Sequence, residues 1–119
     1  MGTSAGNFSS EQQFQGKSQG VRDLYNSLLN ELNQIGPVRE SSRESSIHLE
    51  SRRTFASAKI RDRSIYLTFR TDYPIENKRV KFLKKVAEDK FQHVTRLGSK
   101  RDLDAELIQW LSDAYQLGK

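Results

Sequence analysis

The sequence predicts an α+β domain: a single, mainly antiparallel sheet of about four strands, packed by N- and C-terminal helices in the order α-β-β-β-α-β-α. Three observations support this prediction. Apolar residues recur at steps of three and four near both ends, which is typical of amphipathic helices. In the middle, apolar and polar residues alternate, which is typical of strands with one covered face. Short polar links join these strands and favour antiparallel pairing.

The N-terminal helix is predicted over residues 21–35, VRDLYNSLLNELNQI, where one face is apolar throughout. Gly36 and Pro37 end it, because glycine favours a left-handed cap and proline cannot continue a helix. Residues 1–19 are rich in Gly, Ser and Gln and have no apolar period. We therefore expect a disordered tail or linker there, without docking of its phenylalanines, and a single folded domain over residues 20–117.

Three strands are predicted next, over residues 46–52, 53–61 and 64–70. In the second and third strands, one alternating and mostly apolar set of residues is expected to face the core: Thr54, Ala56, Ala58, Ile60, Ile65, Leu67 and Phe69. The opposite phase carries aromatic and basic residues. These are Phe55, Lys59, Tyr66 and Arg70.

In the second half of the chain, residues 78–89, KRVKFLKKVAED, place apolar residues at helical spacing and predict a short basic helix. A fourth strand is predicted over residues 91–97 and ends at Gly98. Ser99 precedes Asp102 by three residues, which resembles a capping box and predicts a final helix over about residues 100–116.

Composition excludes several kinds of chemistry. The chain has no cysteine, which excludes disulfides, thiolate metal sites, iron–sulfur clusters and cysteine nucleophiles. No apolar run approaches the roughly 18 residues that a membrane helix needs, and the N-terminus lacks the order of a signal peptide. We expect a cytoplasmic protein without a membrane partner.

Motifs of catalysis are also missing. The two histidines, His48 and His93, lie on different predicted strands without a metal-binding spacing. A magnesium-dependent nuclease strand needs an acid two residues before Lys59, but Ser57 stands there. The sequence contains neither a nucleophile elbow nor a glycine-rich phosphate loop. We therefore predict no metal site, no cofactor and no catalytic residues.

One cluster leaves an enzyme alternative open. His93 and Arg96 come just before the last helix, and Asp102 and Asp104 come just after Gly98. A histidine beside Asp102 would form a proton-transfer pair if this joint folded back on itself. The structural alternative to an enzyme site is that acids in the first turns of a helix complement its macrodipole.

Positive charge is concentrated in the middle of the chain. Residues 78–101 carry nine bases against two acids, and residues 36–70 carry eight against four. A basic surface attracts polyanions, and aromatic residues between the bases suit stacking of nucleotide bases. The leading hypothesis is therefore a non-enzymatic binding module for nucleic acid or another polyanion, with Phe55 and Tyr66 as stacking platforms. The alternative is that a helix covers this face, in which case both rings belong to the core. The expected phosphate contacts are Arg52, Arg53, Lys59, Arg61, Arg70, Lys78, Arg79, Lys81, Lys84 and Lys85.

A family resemblance covers most of the chain, from about Val21 to Tyr115. It is carried by Ile47-x-Leu49, Phe55-Ala56 and Ile65-Tyr66-Leu67, and by the His93-x-x-Arg96-Leu97 strand leading into Asp102-Leu103-Asp104. The chain resembles an uncharacterised bacterial and archaeal domain family, often labelled "predicted transport protein" and sometimes fused to nuclease-like domains. The resemblance implies a compact α+β domain and brings no catalytic residues. A domain that regulates or contacts other proteins is the alternative to nucleic-acid binding.

Overall fold

A computed structural model describes residues 10–117 and shows an α+β domain in which helices lie against one antiparallel sheet. A 3₁₀ turn, Lys100–Asp102, precedes the last helix. The helices are α1 (Ser10–Phe14), α2 (Gln19–Ile35) and α3 (Ala105–Leu117). The strands are β1 (Arg39–Ser42), β2 (Ile47–Glu50), β3 (Thr54–Ile60), β4 (Ile65–Thr71), β5 (Val80–Ala87) and β6 (Lys90–Leu97).

The sheet of the described residues has six strands in the order β1-β2-β3-β4-β6-β5, and every neighbouring pair is antiparallel. The prediction of about four strands was therefore wrong, although the α+β class is confirmed. One added strand, β1, lies in a segment that reads as a polar connection because it contains no large apolar residue. The other, β5, replaces the predicted basic helix.

The β5 strand shows how local periodicity misled the helix prediction. Val80, Leu83 and Val86 fit a helical spacing, but the segment pairs with β6 from Val80 to Ala87. Its pairing is irregular at two points, and irregularities of this kind shift the side-chain phase away from strict alternation. Glu88 and Asp89 form the two-residue connection to β6, a length typical of antiparallel hairpins.

Helices α2 and α3 cover one face of the sheet. Helix α3 contacts β3, β4 and α2, and the core lies between these elements. The inward positions predicted for β3 and β4 are buried except Thr54, which is exposed at the start of β3, where the pairing with β2 is irregular. The fully buried large side chains come from both helices and the sheet and include Leu28, Leu32, Ile47, Leu49, Ile65, Leu67, Phe69, Leu97, Leu107 and Leu111.

Part of the expected tail is folded. Phe14 at the end of α1 is buried, its ring lies 5.3 Å from that of Tyr25, and the Arg22 guanidinium lies 4.6 Å above it. Arg22 also forms an ion pair with Glu11. The docking of Phe14 differs from the prediction because a single apolar residue in a polar segment gives no periodic signal. Residues 1–9 of the predicted tail lie outside the described residues.

The predicted helix over residues 21–35 is confirmed as α2, which starts where the Ser18 side chain accepts a hydrogen bond from the Val21 backbone N–H. Gly36 does not adopt the left-handed cap, since its φ of 170° is extended. The reason for glycine is close approach: a Cβ there would collide with the Tyr115 hydroxyl and lie 2.8 Å from its ring carbon Cζ. The Tyr115 hydroxyl donates a hydrogen bond to the Pro37 carbonyl at 2.9 Å.

Candidate nucleic-acid interface

The face of the sheet opposite α2 and α3 is the candidate site, and we call it the uncovered face. At its positions on β3, β4 and β6, Lys59, Arg70 and Arg96 are exposed. The intervening positions, among them Ser57, Tyr66, Thr68, Gln92 and Val94, are partly exposed, and none is fully buried. Strands β3, β4, β5 and β6 contain no Asp or Glu, so every charge along them is positive.

Cross-strand register brings Lys59, Tyr66 and Arg96 into one row. Tyr66 lies opposite Lys59 on β3 and opposite Arg96 on β6. Residues opposite each other in antiparallel strands point to the same side, so the tyrosine ring lies between two cations. The Arg61 guanidinium lies 5.6 Å from the centre of this ring, so a third cation borders the row.

Two further rows lie on the same face. Arg70 lies opposite Gln92, which lies opposite Lys84. Between this row and the first one, Thr68 lies opposite Val94, which lies opposite Phe82. Phe82 is 52% exposed, the highest exposure of any large hydrophobic residue in the described part of the chain. The face therefore combines spaced cations with two accessible aromatic rings.

The cations of the uncovered face are not paired with carboxylates in the described fold. Within residues 10–117, Lys59, Arg70, Lys84 and Arg96 form no ion pair with a carboxylate. Their charges thus remain available to an external anion.

Phe55 was predicted as a stacking platform, and its position contradicts that role. Leu49 lies opposite Ala56 and Glu50 lies opposite Thr54, so Phe55 is an extra residue at an irregularity of β3. Its side chain is 3% exposed, and its ring packs edge to face against Tyr115 of α3, 5.2 Å away. The strict alternation used for the prediction fails at a bulge.

Arg79 was predicted as a phosphate contact, but its guanidinium is occupied. Nη1 donates to Asp104 at 2.9 Å and to Glu106 at 3.2 Å, and Nη2 donates to the Asp102 carbonyl at 2.7 Å. The same guanidinium lies 5.7 Å from the centre of the Trp110 ring. Burial opposes the charge of Arg79, but the Asp104 and Glu106 carboxylates raise its pKa. The guanidinium is therefore permanently charged and stabilises the start of α3.

The remaining predicted phosphate contacts are dispersed. Arg52 and Arg53 lie at the connection between β2 and β3, and Lys78 precedes β5. Lys81, Lys84 and Lys85 are exposed on β5 rather than on a helix. Of these three, Lys84 shares the rows of the uncovered face, whereas Lys85 lies opposite Phe91 in the opposite phase.

The resemblance motif is not assembled into one centre. His93 is fully buried on the covered side, where its Nε2 accepts a hydrogen bond from the Ile75 backbone N–H at 3.1 Å. Arg96 follows three residues later on the same strand and therefore points to the opposite face. The Asp102 carboxylate accepts from the Gly98 and Ser99 N–H groups, and that of Asp104 from Leu107 N–H at the start of α3.

His93 has a packing role in this arrangement. Its ring stacks on Phe69 at 5.1 Å, and Phe69 stacks on Trp110 at 6.2 Å. Burial lowers the pKa of His93, with a backbone group of Phe69 acting in the opposite direction. A neutral imidazole can accept from Ile75, whereas an imidazolium cannot, so the contact requires the uncharged form.

Sequence reasoning missed two members of the uncovered face. Phe82 was assigned to a helix, and only its pairing with Val94 shows which face it occupies. Arg96 was noted for the resemblance rather than for phosphate contact, although its spacing from the buried Leu97 already indicates the outward phase.

Among residues 10–117, no group of histidines and carboxylates has an arrangement that could hold a metal ion. No helix in the same part of the chain has the length and apolar character required to cross a membrane.

Family comparison identifies the kind of domain. Residues 10–118 match the model of a domain of unknown function, DUF5655, and the chain belongs to this family. The family assignment agrees with an uncharacterised domain, and it carries neither a transport role nor a fusion to nucleases. Comparisons with curated proteins and with solved structures gave no match.

Proposed function

We propose that this domain binds single-stranded nucleic acid through the uncovered face. The observation that carries the proposal is the set of four cations, Lys59, Arg70, Lys84 and Arg96, which surround two accessible aromatic rings and form no ion pair within the described chain. No catalytic step is part of the proposal.

Phosphate attraction is the first supporting argument. Each exposed cation that meets a phosphate releases counterions, which favours binding and makes it sensitive to salt. Because β3 to β6 lack carboxylates, no like charge on these strands opposes an approaching phosphate. Arginine adds a planar fork that forms paired hydrogen bonds with phosphate oxygens.

Stacking is the second argument, and it favours a single strand over a duplex. Strand spacing and rise place the Cα atoms of Tyr66 and Phe82 about 12 Å apart. Bases of a single strand can lie on exposed aromatic rings without sequence preference, whereas the bases of a duplex are already stacked. Arg96 lies on the strand between these two aromatic residues.

The test is a binding titration with labelled single-stranded RNA, single-stranded DNA and a duplex, each at several salt concentrations. The single strands are expected to bind more tightly, with affinity falling linearly on a log–log plot against salt. Lys59→Gln, Arg70→Gln and Arg96→Gln combined should reduce the slope by about two, since each phosphate contact on a single strand contributes about 0.7.

A charge-matched control separates the face from net charge. Arg52→Gln, Lys100→Gln and Arg101→Gln remove the same number of exposed cations from turns outside the rows of the uncovered face. This control should keep the slope and most of the affinity. Equal losses in both triple variants would show that net charge, not the uncovered face, governs binding, and absence of binding at low salt would overturn the proposal.

The aromatic contribution is tested separately. Tyr66→Leu and Phe82→Leu keep apolar bulk but remove the ring, and each is expected to weaken binding by about tenfold, because stacking of one base contributes about 1–3 kcal/mol. The salt slope should not change, since no charge is lost.

A protein-interaction role is the second candidate, and one observation favours it. Among the described residues, β5 pairs only with β6, and it exposes Phe82, Leu83 and Val86 on the edge strand of the sheet. An extended acidic segment could add to this edge, with Lys81, Lys84 and Lys85 attracting its carboxylates. Titration with an acidic β-forming peptide should then shift amide resonances of β5 and leave those of β3 unchanged.

A further inference from the structure

A basic depression lies at one end of the uncovered face, beside the turn between β3 and β4. It is shallow and open, with a volume of about 630 Å³, and Tyr66 and the buried Ser64 form part of its lining. Its charged lining residues are Lys17, Arg61, Asp62, Arg63 and Arg96. Four cations and one carboxylate thus border the same open depression.

Tertiary contacts assemble this depression from distant parts of the chain. The Ser18 backbone N–H donates to the Asp62 carbonyl at 3.2 Å and attaches the start of α2 to the turn. The turn itself is closed by the Arg61 N–H, which donates to the Ser64 carbonyl at 2.8 Å. Lys17, which precedes Ser18, is thereby held beside Arg61 and Arg63 although more than 40 residues separate them.

The cations of the depression have no ion-pair partner among the described residues. In the described chain, Lys17, Arg61, Arg63 and Arg96 form no ion pair, and Asp62 forms none either. Arg61 is held over the Tyr66 ring, which limits its freedom without neutralising its charge. Like charges gathered in this way repel each other, and a bound anion would relieve that repulsion.

We infer that this depression binds a phosphomonoester, namely the terminal phosphate of the strand that lies on the uncovered face. The inference rests on the proposed function, which supplies the strand that carries this phosphate. A monoester carries about −1.5 to −2 charges near neutral pH and three acceptor oxygens, whereas a backbone diester carries a single charge. Four cations around one concavity suit the former, and the position at the end of the face suits the end of a strand.

The experiment compares one oligonucleotide in three forms: with a 5′-phosphate, with a 3′-phosphate and with hydroxyls at both ends. A form with the favoured terminal phosphate should bind at least about tenfold more tightly than the hydroxyl form, because several charge-assisted hydrogen bonds are added. Lys17→Gln combined with Arg63→Gln should abolish this ratio and retain binding of the hydroxyl form, since neither residue belongs to the rows of the uncovered face.

Two matched variants sharpen the result. Arg52→Gln with Arg101→Gln removes the same charge outside the depression and should keep the ratio. Asp62→Asn removes the only carboxylate of the lining and should increase the ratio. A thermal melt of each variant shows whether it is folded. The comparison of the three oligonucleotide forms uses the unaltered protein, so its result does not depend on the folding of any variant.

A second arm uses adenosine monophosphate and inorganic phosphate in an amide chemical-shift titration. Shifts at Lys17 and residues 61–64 are expected with both, independently of any oligonucleotide. If such shifts occur but no oligonucleotide binds, the phosphate site stands, its source is a free phosphomonoester, and the proposed function fails. Equal affinity for all three forms of the oligonucleotide, or absence of amide shifts at Lys17 and residues 61–64, would overturn the inference while leaving the proposed function intact.

Discussion

Arg79 and Arg96 lie on the same basic segment but in two very different regions of the molecule. Arg79 precedes β5, and its guanidinium reaches the start of α3, where two carboxylates, a carbonyl and the Trp110 ring surround it. Arg96 lies on the uncovered face with no ion-pairing carboxylate in the described chain. Sequence alone gives both residues the same charge and does not distinguish a paired guanidinium from an unpaired one.

The difference teaches that surroundings decide what a cation does. A guanidinium whose hydrogen bonds are filled by the protein stabilises the fold, because removing it breaks those charge-assisted hydrogen bonds. A cation without such partners contributes little to stability and remains available for an external anion. The two regions therefore predict opposite patterns of stability and binding.

The largest expected contrast is between two phenylalanines. Phe69 is 1% exposed between His93 and Trp110, so Phe69→Ala should lower the free energy of unfolding by about 3–5 kcal/mol. Phe82→Ala on the uncovered face should change it by less than about 0.5 kcal/mol. Urea denaturation measures both. Similar losses in the two variants would contradict the assignment of covered and uncovered faces.

The second contrast exchanges two arginines for methionine. Arg79→Met should lower the free energy of unfolding by about 2–3 kcal/mol, because hydrogen bonds to charged groups are lost at a side chain only 21% exposed. Arg96→Met should leave stability nearly unchanged. In nucleic-acid titrations the order should reverse, with Arg96→Met weakening binding and Arg79→Met preserving it at temperatures where it is folded.

The third prediction concerns pH. Burial lowers the pKa of His93 in the folded protein below the value of about 6.5 expected for the unfolded chain. Below that pH the unfolded state binds more protons, so stability should fall as pH falls from 7.5 to 5.5. The carboxylates with lowered pKa, Asp104 and Glu11, act only at more acidic pH.

Variants of the two histidines identify the source of this pH dependence. His93→Gln should lower stability at pH 7.5 and flatten its dependence on pH. His48→Gln, on the uncovered face, should leave most of the dependence in place, because its side chain is only partly buried. If His93→Gln kept the full dependence of stability on pH, another titratable group would be the source of that dependence.

The smallest expected effect separates two functions of Asp104. Asparagine is about as good an N-cap as aspartate, so Asp104→Asn should preserve the hydrogen bond from Leu107 while removing the charge that meets Arg79. The loss should be about 0.2–1 kcal/mol, as for other exposed ion pairs. A loss well above this range would show that the carboxylate holds the corner more tightly than exposed ion pairs do.

Local sequence predicted some elements well and others poorly. α2 was predicted because seven apolar positions form one helical face, and β3 and β4 because alternate residues are apolar over most of their length. β1 contains no apolar residue, and β5 fits a helical period as well as a strand. The existence of these two strands depends on hydrogen bonds to β2 and β6, which no local pattern contains.

The candidate site divides in the same way. Lys59, Tyr66 and Arg70 were placed on one face by strict alternation, and the register confirms their common phase. Phe55 was misplaced because one extra residue in β3 changes which side of the sheet it occupies. Phe82 was missed because its face is defined only once β5 pairs with β6.

By itself, the sequence determined the α+β class, the helix α2, the alternation of β3 and β4, and the absence of cysteine chemistry, because periodicity and composition are local properties. Only the tertiary structure decided which cations are free, which are paired and which meet around the β3–β4 turn. Those outcomes depend on contacts between residues far apart in the chain, such as Arg79 with Asp104 and Ser18 with Asp62. Such contacts form only when the whole domain packs, and they leave no periodic trace in the sequence.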